Sequence, residues 1–187
     1  MIDIALKEWA VVCDLLLEGG QTILLRKGGI HETAGPGKFE IEHRRFLLFP
    51  SWLHQKPAAL KPALRDRVTI FGQEPAEFSF RGLGEVGGVW RVKDRVSFDQ
   101  LDDLHGYAPA QIDMRFAYKP ENPLYLVAVR AYRLRQPVTV KNGPEYGGCR
   151  SWVPLAPSDA VDDAGAVPVL EAAAFAGIVA RINKALD

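Results

Sequence analysis

Residues 123–140 read PLYLVAVRAYRLRQPVTV. β-Branched, aromatic and other apolar residues dominate this run, and in an extended chain Leu124, Leu126, Ala128, Arg130 and Tyr132 share one face. We therefore predict a strand. The tetrapeptide KPEN at 119–122 precedes it, and before that comes QIDMRFAY at 111–118, which we predict to be its antiparallel hairpin partner.

Working outward, the same patterns predict further strands and helices along the chain. Apolar runs predict strands at 22–26, 39–49, 68–71 and 76–80. Helical spacing predicts helices at 4–18, where Gly19 and Gly20 end the helix, at 97–104, where Ser97 and Gln100 form a capping box, and from Pro168 onward. Regular alternation of strand and helix is absent. We therefore expect an α+β domain with a mostly antiparallel, curved sheet, a small barrel flanked by N- and C-terminal helices.

The composition describes an ordinary globular chain. It has 187 residues, 23 basic and 23 acidic, so the net charge is zero and no whole-protein field selects a polyanion. We expect one domain over 1–187, in which 156–167 link to the C-terminal helix. The two cysteines form no CxxC pair, and we expect neither a leader nor a membrane span. We expect a cytoplasmic protein without a cofactor and without membrane contact.

Motifs of well-known mechanisms are missing. Gly82, Gly84 and Gly87 satisfy GxGxxG, but the following VWRV continues as a strand where a dinucleotide site needs a helix N-terminus, so we interpret the glycines as a flexible turn. There is no GxxxxGK[ST], no GxSxG and no HExxH. The sequence therefore gives no support to the mechanisms that those motifs serve.

Positive charge is concentrated in residues 26–67, with nine Lys or Arg against four Asp or Glu. The segment also holds three of the four histidines, together with Phe46, Phe49 and Trp52, a mixture that can hold phosphates and stack bases. We predict binding of an anionic ligand, RNA or a nucleotide, by a basic, aromatic-lined pocket formed by Arg26, Lys27, His31, Arg44, Arg45, Trp52, His54, Gln55 and Arg130. The alternative is a solvated charged face beside core aromatics. For Arg130, a structural ion pair with Asp102 or Asp103 is a further interpretation.

Two other functions stay open at this stage. His31, His54, Glu40 and Glu42 could form an oxygen-and-nitrogen metal site for a hydrolase such as a phosphodiesterase. The chain could also be a non-catalytic interaction module. The sequence decides neither whether the protein is an enzyme nor its oligomeric state.

Several blocks agree in order with one known family. They are LKEWAVVCDLLLEGGQTILLRKGGIHE at 6–32, FEIEHRRFLLFP at 39–50, PLYLVAVRAYRLRQPV at 123–138 and EYGGCRSW at 145–152. Over roughly residues 5–155 the chain resembles the bacterial family called domain of unknown function 1802. That family has no established activity, so the resemblance implies no residue roles.

A second resemblance is to the ASCH branch of PUA-like domains, small β-barrel modules associated with RNA or nucleotides, some of which are amidohydrolases. Their pattern G-x-K-T-x-E-x-R after a helix compares with residues 19–26, where Gly19, Thr22 and Arg26 match. The lysine and glutamate of the pattern are Gln21 and Leu24 here, so the general base and its electrostatic partner are missing. The resemblance implies a barrel-like binding scaffold and no catalytic function.

Overall fold

The computed structural model describes residues 1–27 and 40–186. Within these residues the strands are β1 (Ile4–Trp9), β2 (Ile23–Arg26), β3 (Arg45–Ser51), β4 (Glu77–Val92), β5 (Leu124–Lys141), β6 (Trp152–Pro154) and β7 (Val167–Pro168). The α-helices are α1 (Ala10–Glu18), α2 (Arg95–Asp99), α3 (Pro109–Ala117) and α4 (Ala172–Leu186). Short 3-10 turns connect several of these elements, including Pro57–Ala59 and Pro62–Arg67.

One sheet contains all seven of these strands, in the order β2-β5-β4-β3-β1-β6, and β7 pairs with β5 beyond the end of β2. The β1–β3 pair is parallel and the other pairs are antiparallel. In a flat sheet β2 and β1 would lie four strand spacings, about 19 Å, apart. Arg26 of β2 nevertheless contacts Glu8 of β1 at 3.0 Å. The sheet is therefore strongly curled into a half-barrel, and the predicted α+β class with a curved, mostly antiparallel sheet is confirmed.

The long strand predicted from residues 123–140 is confirmed as β5, but its predicted hairpin partner is wrong. β5 pairs with β4 along most of its length, while residues 109–117 form α3. Ile112 and Phe116 are four residues apart, a spacing that fits one helix face as well as strand alternation. Pro109 occupies the first turn, where its missing N–H costs nothing.

The glycines of GxGxxG lie inside β4, so their interpretation as a flexible turn is wrong. A Cβ atom on Gly84 would lie 2.7 Å from a Val129 methyl carbon and 2.8 Å from the Phe46 ring. A Cβ atom on Gly87 would lie 2.4 Å from the Phe175 ring. These positions need glycine because neighbouring side chains cross the strand there.

The N-terminal segment also differs from the prediction of one helix over residues 4–18. Residues 4–9 form β1, which pairs with β3 on one side and β6 on the other, and only Ala10–Glu18 form a helix. Sheet pairing on both edges of β1 outweighs the helical spacing of its apolar residues. The end of the helix is as predicted, since Gly19 adopts the left-handed conformation with φ +81°.

Smaller differences from the predictions concern short segments and one helix cap. Residues 40–44 and 68–71 are not strands, and α2 is capped by the Asp94 side chain, which accepts a hydrogen bond from the Ser97 N–H. The strand at 22–26 is confirmed as β2, and 56–67 form broken 3-10 turns, as their two prolines require. Across the described ranges, none of the helices has the length and apolar character needed to cross a bilayer.

Candidate functional site

Arg26 is the first residue of the predicted pocket, and it lies inside the curled sheet. Its Nη1 donates to Glu8 Oε2 at 3.0 Å, and the two side chains are 11% and 7% exposed. The other oxygen of Glu8 accepts from the Trp9 N–H at 2.8 Å. The charge of Arg26 is thus balanced by a buried carboxylate, and the pair ties β2 to β1 across the interior.

Lys27 and Gln55 stabilise helix ends. The buried Lys27 ammonium donates to the carbonyls of Arg115, Phe116 and Tyr118 at 3.0, 3.2 and 2.5 Å, which satisfies the end of α3, and burial lowers the pKa of Lys27. The Gln55 Oε1 atom accepts from the Val11 N–H at 3.0 Å, at the start of α1 where no side chain of the helix itself forms a cap. Both side chains are therefore occupied by backbone groups.

Arg45 and Arg130 both lie against Tyr132. Arg45 donates to Asp163 at 2.9 and 2.7 Å and to Glu85 at 2.9 Å, and these bonds help to hold the pKa of Asp163 below its ordinary value. Arg130 donates to the Leu170 carbonyl at 3.4 Å. Both guanidinium groups lie over the Tyr132 ring, with centroid distances of 5.1 and 5.2 Å.

The predicted ion pair of Arg130 with Asp102 or Asp103 is wrong, because those carboxylates bind Lys61 and Arg181. Arg44 is exposed, and its side chain has no hydrogen bond or ion pair to the rest of the described chain. Arg44 and Arg130 therefore have no binding partner in common with Arg26, which pairs with Glu8.

The residues of the metal alternative are not assembled by the described part of the chain. His31 lies outside the described residues, while Glu40, Glu42 and His54 are exposed. Among residues 1–27 and 40–186, no three His, Cys, Asp or Glu side chains are grouped as metal ligands would be. The half-buried His43 instead packs edge-on against Trp152, with ring centroids 5.3 Å apart.

Trp52 and His54 belong to a different part of the surface. We call it the rim surface and define it as residues 51–56 and 69–74 together with Lys7 and Arg150. Glu74 fixes its two loops, because its carboxylate accepts from Ser51 Oγ at 2.5 Å, from the Trp52 N–H at 3.0 Å and from the Leu53 N–H at 3.3 Å. The Gln55 Nε2 atom donates to the Thr69 carbonyl at 2.9 Å. The Trp52 and Phe71 rings consequently lie together, 6.0 Å apart and tilted by 54°.

Lys7 and Arg150 add positive charge to this surface. Lys7 Nζ donates to the carbonyls of Tyr146 and Gly148 at 2.6 and 3.3 Å and lies 5.0 Å from the centre of the Phe49 ring. Burial lowers its pKa, while Glu74 and Arg150 are among its charged neighbours. Arg150 donates to the Glu145 carbonyl. Both side chains use backbone carbonyls as acceptors and keep a positive charge near the rim.

Sequence reasoning missed Lys7, Phe71, Glu74 and Arg150 as members of one surface. Lys7 lies within the helix predicted over residues 4–18, and only the parallel register of β1 with β3, with Trp9 opposite Ser51, brings it to the rim. No pattern in the sequence connects Arg150 with residues 51–74.

Comparison with known proteins gives a family and a distant structural likeness. Residues 5–181 match the model of a family described as Domain of unknown function (DUF1802). No curated protein matches the sequence.

Among solved structures, the chain is similar to the crystal structure of ASCH from Zymomonas mobilis, with 10% identity, a TM-score of 0.47, and coverage of 83% of this chain and 89% of that one. A serine-to-alanine variant of the same Zymomonas mobilis protein matches with 9% identity, a TM-score of 0.37 and coverage of 96% and 98%. At this identity the likeness assigns no residue a role.

Proposed function

Because the chain belongs to the DUF1802 family, whose description assigns no activity, we propose from the geometry alone that it binds an anionic ligand, RNA or a nucleotide, at the rim surface. The proposal leaves out Arg26 and Arg45, because carboxylates balance their charges, and Lys27, because it is buried at the end of α3. Gln55 is also buried, and it contributes to the rim surface by holding a loop in place instead of contacting a ligand. The proposal keeps Trp52 and His54. His31, Arg44 and Arg130 stay predictions without a place in it.

Charge supports this location. Residues 52–71 carry four Lys or Arg against one Asp. Two of these cations are already paired with carboxylates outside this segment: Lys61 binds Asp102, and Arg67 binds Glu18. Lys56 and Arg65 are exposed and have no carboxylate partner in residues 1–27 and 40–186. A phosphate gains most from cations whose charge is not already balanced, so Lys56 is the best-placed phosphate ligand.

The position of Lys7 supports the same site from the other side. Its ammonium is half-buried, and the desolvation that lowers its pKa is a cost that a nearby phosphate would offset. The charge of Glu74 raises the pKa of Lys7, but the two side chains form no ion pair, and Lys7, Lys56 and Arg150 outnumber this one carboxylate in the rim surface. The rim surface therefore keeps an excess of positive charge.

One observation carries the proposal: Lys56, which has no carboxylate partner in residues 1–27 and 40–186, lies on the same loop as Trp52, and Glu74 and Gln55 hold this loop against the one that carries Phe71. In nucleic-acid sites, cations hold the phosphates and rings receive the bases, and each contributes to affinity. Six of the fourteen arginines are instead paired with acidic side chains of the described residues, among them Arg81 with Asp14 and Arg95 with Asp99.

Fluorescence polarisation of a labelled oligoribonucleotide tests this. We expect the wild-type protein to bind and Lys56→Glu to bind about tenfold more weakly, because a charge-assisted hydrogen bond is worth about 1.5 kcal/mol. The matched control is Lys93→Glu, since Lys93 is also exposed but lies after β4. Absence of binding to every oligonucleotide and mononucleotide tried, or equal loss in both variants, contradicts the proposal.

A further inference from the structure

We propose that the Trp52–Phe71 pair is a stacking subsite for one unpaired base, so that the ligand at the rim surface is a single-stranded nucleic acid or a nucleotide and not a duplex. This inference rests on the proposed function and adds the class of ligand to it. It is carried by the rings, whereas the proposed function is carried by the cations.

The first step is exposure. Phe71 is 44% exposed and the neighbouring Ile70 is 67% exposed, although large apolar side chains are usually buried. Trp52 is half-buried and packs against the core, so one ring is anchored while the other presents its surface to solvent. Trp52 thus contributes to the core, while Phe71 offers aromatic surface to solvent beside it.

The second step is geometry. The ring centroids are 6.0 Å apart and the planes are tilted by 54°, so the two rings present differently oriented faces. A flat base can stack on the face of one ring and contact the edge of the other, but two bases cannot stack on both rings in parallel. The arrangement fits one base.

The third step is rigidity. Glu74 holds residues 51–53 by three hydrogen bonds, and Gln55 joins the start of α1 to Thr69. Both rings are thus mounted on loops that are fixed before any ligand arrives. A prearranged site loses less conformational entropy on binding, which suits recognition of a single flat group.

The fourth step separates single strands from duplexes and from protein partners. In a duplex the faces of the bases are covered by their neighbours, so a stacking subsite requires an unpaired base. The flanking charge argues for a polyanion: Lys56 follows Gln55 directly, His54 is exposed beside it, and lysine is depleted in the cores of protein interfaces. An anionic strand complements both the rings and the cations.

The test compares three probes by polarisation and by tryptophan fluorescence: a single-stranded oligoadenylate about ten nucleotides long, the same length of abasic strand, and an RNA duplex. We expect the oligoadenylate to bind best and to quench the fluorescence of the wild type. Because the chain has four tryptophans, the contribution of Trp52 is obtained by difference from Trp52→Phe. Oligodeoxyadenylate and AMP identify which source of the nucleotide binds.

Phe71→Ala and Trp52→Ala should weaken binding of the oligoadenylate about 5- to 150-fold, the range for loss of one stacked base, while Trp52→Phe should keep most of the affinity. The matched control is Tyr118→Ala, since Tyr118 is 47% exposed beside Lys119 but lies at the end of α3. It should bind as the wild type does.

The outcomes separate the two ideas. If the duplex and the abasic strand bind as well as the oligoadenylate, or if Phe71→Ala binds normally while Lys56→Glu does not, the stacking subsite is overturned and the anion site stands. If no nucleic acid or nucleotide binds, both are overturned. Dimerisation that Phe71→Ala abolishes, without any nucleotide binding, identifies the rings as a protein interface and likewise overturns both.

Discussion

At the scale of single residues, a buried ion pair has a larger effect on stability than an exposed one, and Arg26 illustrates this. Arg26→Ala leaves Glu8 charged and unpaired beneath the sheet, where its side chain is 7% exposed. We expect a loss of about 3–5 kcal/mol in the free energy of unfolding, since an unpaired buried charge keeps its desolvation cost. Denaturant titration measures this loss.

The control for this prediction is Arg81→Ala. Arg81 and Asp14 form an ion pair of 2.6 Å whose side chains are 56% and 38% exposed, and we expect a change below about 1 kcal/mol. The double variant Glu8→Ala/Arg26→Ala should lose less free energy of unfolding than the two single variants added together, because it removes both charges of the pair and leaves none without a partner. A wild-type denaturation midpoint for Arg26→Ala would show that the pair does not hold the fold.

His105 makes stability depend on pH. It is 3% exposed, stacks on Phe98, and its Nδ1 atom accepts from the Tyr107 N–H at 3.2 Å, while burial lowers its pKa from 6.5 to about 4. The unfolded chain binds the proton first, so stability falls as pH drops from about 6.5 to about 4, by up to about 3 kcal/mol. Denaturation midpoints measured across that range test this.

A variant isolates the contribution of His105. Asn in place of His105 keeps an acceptor near Nδ1 but does not titrate, so His105→Asn should flatten the difference in stability between pH 6.5 and pH 4. His54→Asn, at an exposed position, should leave the pH dependence of the wild type unchanged. Equal slopes for all three proteins would assign the pH dependence to other groups.

At the scale of elements, helix ends in this fold depend on distant residues. The Lys27 ammonium binds three carbonyls at the end of α3 from a position 88 or more residues away. Lys27→Met removes these donors, and unsatisfied carbonyls cost about 1–3 kcal/mol each when they stay buried. We expect faster amide hydrogen exchange in residues 109–117, measured by mass spectrometry.

Lys119→Met is the matched change at the same end of α3. Its ammonium lies over the Tyr118 ring, 5.5 Å from the centre, and binds no carbonyl in the described residues. Exchange in α3 should therefore stay as in the wild type. If both variants exchange alike, Lys27 is not the cap of α3.

The same dependence on distant residues explains which elements the sequence predicts. β5 was predictable because its alternation runs over many residues, and Gly19 because a left-handed helix end favours glycine at that position. β1 and α3 were not, because both contain apolar residues whose spacing fits a strand and a helix alike. Pairing of β1 with β3 and β6, which no local pattern contains, decides its conformation.

At the scale of the whole molecule, the sequence shows which residue types are available for a binding site but not where the fold places them. The basic, aromatic segment was visible in the composition, and Trp52 and His54 are on the rim surface. Which cations are neutralised was not visible, because the carboxylates lie far away in sequence: Glu8 for Arg26, and Asp163 for Arg45. Partners that distant are brought together only by the curl of the sheet.

The neutrality of the whole chain also sets how binding should respond to salt. With 23 basic and 23 acidic residues the chain has no net charge, so we expect the local cations at the rim to set how many counterions a bound strand releases. If Lys7, Lys56 and Arg150 contact two or three phosphates, log Kd should rise with log salt with a slope of about 1.4 to 2.1, at about 0.7 per phosphate on a single strand. Arg150→Ala should lower this slope by about 0.7. The control is Arg181→Ala, which removes a cation of α4 that is paired with Asp103, and it should leave the slope unchanged. A slope near zero, or one that Arg181→Ala lowers as much as Arg150→Ala does, would place the contacts elsewhere, and polarisation titrations at several salt concentrations decide between these results.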